Sequence, residues 1–249
     1  MQSEKDLEQQ LLRIDHKSYP AYKALRGAYR FDGYEFYIDH VQGDPFAAPS
    51  QVHVFVKRKQ AGFPEAYQKD EVTRTALADH LTRVFAREVD RFTFKAKGSG
   101  KSGLITVTHC GQEVLNRTAC EVTDAGITAR FAIGFPANGR TINARELHKI
   151  IFEYLPECVK RAFCYKNLEA SKVQAAVELA EDQQALREWI RAHHMVAFVA
   201  DSAVLPRESG VSARPMKGGV DFWSPESLRV KVVLPHKGEI TGMGIPEGI

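Results

Sequence analysis

The sequence has 249 residues, 44% hydrophobic and 26% charged, with a net charge of +3. It is therefore no polycation, and any contact with nucleic acid needs a local basic patch. The charged N-terminus, MQSEKDLEQQLLRIDH, lacks the apolar stretch of a signal peptide, and no apolar run approaches the roughly 18 residues of a membrane span, so we expect a cytoplasmic protein with no membrane partner.

Ser3 ahead of acidic residues, then Leu7, Leu11 and Leu12, predicts a capped amphipathic helix. PAYKALRGAYRF predicts a short helix ending near Gly27. RFDGYEFYIDHV alternates aromatic and polar residues and reads as one strand. The loop QGDPFAAPS follows, and QVHVFVKRK is a second alternating strand with Val52, Val54 and Val56 on one face. From Lys69 to about Glu88 an apolar stripe of Val72, Leu77, Leu81 and Phe85 predicts a helix.

Three strands are expected next, at Phe92–Lys97, Leu104–Thr108 and Thr118–Thr123. TDAGIT reads as a turn and ITARFAIGF as a further strand. Asn143 caps a helix that should run to Tyr154 and stop at Pro156. Helical pattern covers roughly Glu157 to Ala192, with a break near Asn167. MVAFVA reads as a short buried strand and LRVKVVLP as the last clear one. The Pro-, Gly- and Ser-rich stretch between them is too long for a plain connector and is expected to be functional. HKGEITGMGIPEGI ends without a helix. The fold class is α+β: a mainly antiparallel, mixed sheet with packed helices and long ordered Gly/Pro-rich loops.

FTFKAKGSGKSGLITVT, Phe92 to Thr108, raises the question of a phosphate loop. The P-loop pattern GxxxxGK[ST] follows a buried strand and opens a helix, whose first amides hold the phosphates. Here Lys95 stands where the first glycine belongs, and after Ser102 the alternation of β-branched residues predicts a strand. The turn reads as a Gly-rich hairpin loop. A second reading keeps Gly98, Ser99, Gly100, Lys101 and Ser102 as an amide nest that touches a phosphate held elsewhere.

Asp39, His40 and Asp44 alone are a weak signal for a metal, which needs three or more converging ligands; a structured turn with Asp44 capping its own backbone before Pro45 is the alternative, and no metal is assigned. Phe46, between prolines and alanines, is a candidate stacking platform, and Lys57, Arg58 and Lys59 are candidate contacts to RNA phosphate. Arg140, Arg207 and Arg214 sit in Gly/Pro loops suited either to phosphate or to a structural carboxylate. Cys110, Cys120, Cys158 and Cys164 have no CxxC spacing and read as reduced thiols. No nucleophile elbow appears, so no catalytic residue is assigned.

YKALRGAYRF, IDHVQGDPFAAPS, GSGKSGLITV, GQEVLNRTA, ARFAIGFPANGRTI, LREWIRAHHMVAFVADSAVLPRESGV and GEITGMGIPEGI occur in order from about Tyr19 to Ile249. Together they resemble the N-terminal region of the predicted ATPases of the ABC class. Ser202 and Thr141 stand where that pattern has glycine and arginine. In the family, the Walker A loop follows the GMGIP segment, and ATP and Mg²⁺ are held further on. The resemblance therefore implies that residues 1–249 are an N-terminal accessory domain that ends before Walker A. It also implies no hydrolysis by this chain alone and no certain cofactor of its own. Lys101, Arg140 and Arg207 would face the nucleotide or a subunit interface. The implied partners are the protein's own C-terminal ATPase core, a second copy in a homodimer, or RNA.

Overall fold

Ser3 opens helix α1 (Glu4–Ile14) by a reciprocal cap: its hydroxyl accepts the Asp6 N–H, and the Asp6 carboxylate accepts the Ser3 N–H. Leu7, Leu11 and Ile14 turn inward, while Leu12, expected among them, is exposed. The structure, a computed structural model, is described over residues 1–248. It divides into two units, Met1–Cys110 with Leu115–Val173, and Gly111–Val114 with the chain from Gln174 on.

The first unit is built on a seven-stranded sheet. Its strands are β1 (Gln2–Ser3), β2 (Gly27–Phe31), β3 (Tyr34–His40), β4 (Ser50–Lys57), β5 (Ile105–Thr106), β6 (Cys120–Val122) and β7 (Gly126–Ile133). The order is β1-β2-β3-β4-β7-β5, with β6 also paired to β7. Only β1 and β2 run parallel. Val52, Val54 and Val56 are buried, as strand alternation requires. After a short helix α2 (Arg58–Ala61), Asp70 caps α3 (Glu71–Asp90) by accepting the Thr73 N–H at 2.8 Å, and this bond lowers the Asp70 pKa. Phe85 of α3 packs between Phe131 of β7 and Phe163, with ring centroids 5.2 and 5.0 Å away.

Four expectations are corrected here. RFDGYEFYIDHV is a hairpin, not one strand: Asp32 and Gly33 form its two-residue turn, and Gly33 takes a φ of 85°. Phe92–Lys97 is not a strand, so the Gly-Lys-Ser turn is not a hairpin loop. The chain leaves α3 in turns, with the Phe92 and Thr93 amides both donating to Val89 O. Phe92 and Ala96 are buried four residues apart while Phe94 is exposed, which strand alternation does not allow. Pro156 stops nothing. Helix α4 (Ala144–His148), capped by Asn143, continues as a π-helical turn, Lys149–Tyr154, into α5 (Leu155–Phe163), and Pro156 sits in the first turn of α5. Between β7 and α4 lies a two-stranded ribbon, β8 (Ala137–Asn138) and β9 (Thr141–Ile142).

After Asn167 the helix α6 runs over Ala170–Ala192. In the second unit, β10 (Met195–Ala200) is half-exposed rather than buried, the fourth correction. The strands β11 (Arg207–Ser209) and β12 (Ser212–Pro215) form a ribbon inside the long Gly/Pro-rich stretch. The strands β13 (Arg229–Leu234) and β14 (Gly238–Pro246) complete an antiparallel sheet in the order β10-β14-β13. The buried Asp182 carboxylate accepts the His236 and Lys237 amides at 2.8 and 3.0 Å, tying the β13–β14 turn to α6.

Candidate functional site

Three loops of the first unit meet around Gln42, a buried polar residue. Its side-chain oxygen accepts the Ser50 and Phe135 amides at 3.2 and 3.1 Å. Its side-chain nitrogen donates to Asp44 O at 3.1 Å, and its own amide donates to Ser50 Oγ at 3.1 Å. These bonds join the loop between β3 and β4 to the segment after β7. From the other side, the buried Tyr19 and Tyr22 hydroxyls donate to Phe135 O and Pro136 O at 2.9 and 2.7 Å. Burial raises both phenol pKa values; the Asp44 charge adds to the rise at Tyr19, and Tyr19 to that at Tyr22.

The turn Gly98–Ser102 fills the space between these loops. Its Ser99 amide donates to Ala137 O at 2.7 Å and its Lys101 amide to Pro45 O at 2.8 Å. The Ser102 amide donates to Ser99 O at 3.2 Å and the Gly103 amide to Gly134 O at 3.0 Å. The buried Ser102 hydroxyl donates to Ser99 O at 2.5 Å and accepts the Ala137 amide at 3.0 Å. Four of the five amides from Ser99 to Gly103 are thus held by carbonyls of the protein. No helix begins at Lys101 or Ser102; the chain turns at Gly103 and enters β5. A nest of free amides for an anion is not what these residues form.

The surface of the junction carries side chains. Phe46 is 61% exposed, and its ring lies against Gly100, where an added Cβ would come 2.9 Å from Phe46 Cδ1 and 2.5 Å from Pro45 O. Gly100 also takes a φ of 61°, so the site requires glycine twice over. Arg140, at the tip of the β8–β9 ribbon, is held by Asp44 at 2.8 Å, while its side chain stays 78% exposed. Lys97 donates its amide to Glu146 at 2.8 Å. Glu146 keeps a lowered pKa: burial opposes its charge, but Lys149 and the Lys97 amide outweigh that.

The other candidates lie apart from this junction. Lys57 faces Glu35 at 3.6 Å, and Arg58 faces Glu65 at 3.6 Å and Asp124 at 3.4 Å. Lys59 is exposed in α2. β4 alone sets its two ends roughly 23 Å apart, so Phe46 and the three basic residues form no single patch. Arg207 and Arg214 are exposed on the β11–β12 ribbon of the second unit. Asp39 pairs with His53 at 2.7 Å. Among the described residues no three His, Cys, Asp or Glu side chains gather as for a metal. Burial pushes the Cys120 and Cys158 thiols up to about 12, which leaves them unreactive. Sequence reasoning missed Gln42, although the VQGDP segment that holds it was among the distinctive motifs.

The chain belongs to the ATPases of the ABC class. The family described as ATPase of the ABC class, N-terminal, matches residues 4–166, and a P-loop domain of an ABC ATPase matches residues 169–249. No curated protein matches the chain. Residues 169–249 contain no Gly-Lys-Ser/Thr; the only one in the sequence is Gly100-Lys101-Ser102, outside that match. P-loop ATPases hold ATP and Mg²⁺ on free loop amides and a helix start. In the Gly98–Ser102 turn the Ser99, Lys101 and Ser102 amides are taken by protein carbonyls and no helix starts, so it does not fit a triphosphate, and no catalytic step is derived through it. Among the described residues no helix is long and apolar enough to cross a membrane.

Proposed function

We propose that this chain is a non-hydrolysing N-terminal part of an ABC-class ATPase. In this reading the loop junction meets the phosphate of a nucleotide held elsewhere, or a neighbouring subunit, through the side chains of Lys101 and Arg140. The engagement of the Ser99, Lys101, Ser102 and Gly103 amides by protein carbonyls carries the proposal, because with most of the turn's amides taken up its side chains are its main means of contact. The position of Arg140 agrees, since Asp44 orients its guanidinium while most of the side chain faces solvent. Arg207 would serve the same role from the second unit, on its exposed ribbon.

An RNA-binding role has less behind it: Lys57 and Arg58 already face carboxylates, and Phe46 lies at the other end of β4. The proposed protein partners, an ATPase core or a second copy, suit the second unit, where Leu205, Val211, Val220 and Trp223 are all exposed.

The purified 249-residue chain is expected to turn over no ATP above background. Turnover that Lys101→Ala abolishes would refute the proposal. The same preparation separates the alternatives. A salt-dependent RNA gel shift lost on Lys57/Arg58/Lys59 substitution would favour the nucleic-acid reading. Light scattering that gives a stable dimer without ligand would favour a second copy, and a monomer would exclude it.

A further inference from the structure

The sheet of the second unit ends on β10 at one side and on β13 at the other. An edge strand leaves amides and carbonyls unpaired and so invites a further strand. The two edges are not equally guarded. β10 carries a register shift between Met195 and Ala197, the kind of bulge that blunts an edge. β13 pairs with β14 in unbroken register, from Arg229 opposite Met243 to Leu234 opposite Gly238, and it holds no proline.

The ladder fixes where the β13 backbone groups point. The Asp201 amide donates to Thr241 O at 2.9 Å, so the N–H and C=O of Thr241 face the β10 side. Lys231 stands opposite Thr241 and is therefore in a non-hydrogen-bonded pair, with its own N–H and C=O turned away from β14. By alternation those of Arg229 and Val233 turn the same way, and the Arg229 N–H indeed donates to Glu226 O instead. The groups of Lys231 and Val233 have no backbone partner among the described residues. Both residues are exposed, Val233 at 74%, so another chain can reach them. Lysine often guards an edge, but the Lys231 ammonium is drawn over β14 to Glu239 at 2.8 Å.

We propose that β13 pairs with β13 of a second copy of this chain, antiparallel about a two-fold axis at Val232. In that register Lys231 of each copy stands opposite Val233 of the other, and the free N–H and C=O groups of both residues meet. Val230 stands opposite Leu234, so the apolar face of the sheet continues across the axis. The stem of Lys231 covers the exposed Val233, and no like charges are opposed. Neighbouring registers are worse. An axis at Lys231 would set the two lysines against each other, and one at Val233 would set Lys231 against Pro235, which has no N–H.

This contact gives the second copy a defined surface, and it does not rest on Lys101 or Arg140 meeting a phosphate. One strand per copy is a small interface, so the association should be weak. Light scattering of the 249-residue chain should show a dimer growing in over roughly 0.05–1 mM. Amide exchange followed by NMR should slow at Lys231 and Val233 as concentration rises, and stay unchanged at Val232, whose amide already faces β14. Val233→Lys should weaken self-association roughly tenfold, because the two-fold axis repeats the clash of that lysine with Lys231. Glu239 lies opposite position 233 on β14, so this variant should fold and melt no lower than the parent. Adding Lys231→Glu to it should restore the dimer. A chain that stays monomeric at roughly millimolar concentration overturns the proposal. So does a dimer that Val233→Lys leaves intact, which would put the second copy elsewhere on the chain and leave the proposed function standing.

Discussion

Gly134→Ala is expected to lower the melting temperature of the first unit by roughly 6–12 °C, from a loss of about 3 kcal/mol. A Cβ at Gly134 would lie 1.8 Å from Lys101 O, and the obstacle is backbone, which no rotamer change can move aside. The Gly134 amide donates to Leu104 O at 2.8 Å, and its carbonyl accepts the Gly103 amide at 3.0 Å, so the clash would part both bonds. Gly43→Ala is the matched control in the same junction. A Cβ there meets nothing within 4 Å, and its expected cost is within about 0.5 kcal/mol. Equal melting curves for the two variants would show that the Gly98–Ser102 turn is not clamped against the segment after β7.

Asp79→Ala should destabilise the first unit by about 3–5 kcal/mol, measured by denaturant unfolding. The Asp79 side chain on α3 is 2% exposed. Its carboxylate takes Arg83 Nε at 2.6 Å on one oxygen and Arg117 on the other. Removing it takes the shared carboxylate from two guanidiniums in a partly desolvated setting, where a lost partner costs far more than at the surface. Arg83 lies on the same helix, but Arg117 lies just before β6, so the carboxylate also joins α3 to that strand. Asp79→Asn keeps an acceptor and loses the charge, so its effect should fall between the parent and Asp79→Ala. A loss below about 1 kcal/mol for Asp79→Ala would mean that the pair behaves as an exposed one.

Much of the frame was legible because the forces behind it are local. The Ser3 and Asn143 caps, the alternation of Val52, Val54 and Val56, and the stripe of α3 each depend on residues a few positions apart. The family was legible for another reason: its motifs are long and occur in order. The misreadings share a cause too. In RFDGYEFYIDHV the alternation on both sides of Asp32-Gly33 masked a two-residue turn. In FTFKAK it imitated a strand, although burial of Phe92 and Ala96 follows the packing beneath α3. Pro156 was read as a stop, but the chain passes it helically: the π-helical turn Lys149–Tyr154 directly before it is where the regular ladder is interrupted, and the helix resumes as α5.

The sequence by itself determined that no helix opens after Gly100-Lys101-Ser102, because β-branched alternation from Leu104 on is a short-range preference for extended chain. Only the tertiary structure decided where the amides of that turn go. Their acceptors include Pro45, Gly134 and Ala137, residues more than 30 positions away in the chain. Pairing over such distances is set by how the sheet brings its connecting loops together, and hydrogen bonding carries no trace in sequence of which distant carbonyl will be the partner. Tyr34, whose buried hydroxyl has no hydrogen-bond partner among the described residues, was hidden for the same reason: a side chain's lack of a partner is a property of everything packed around it.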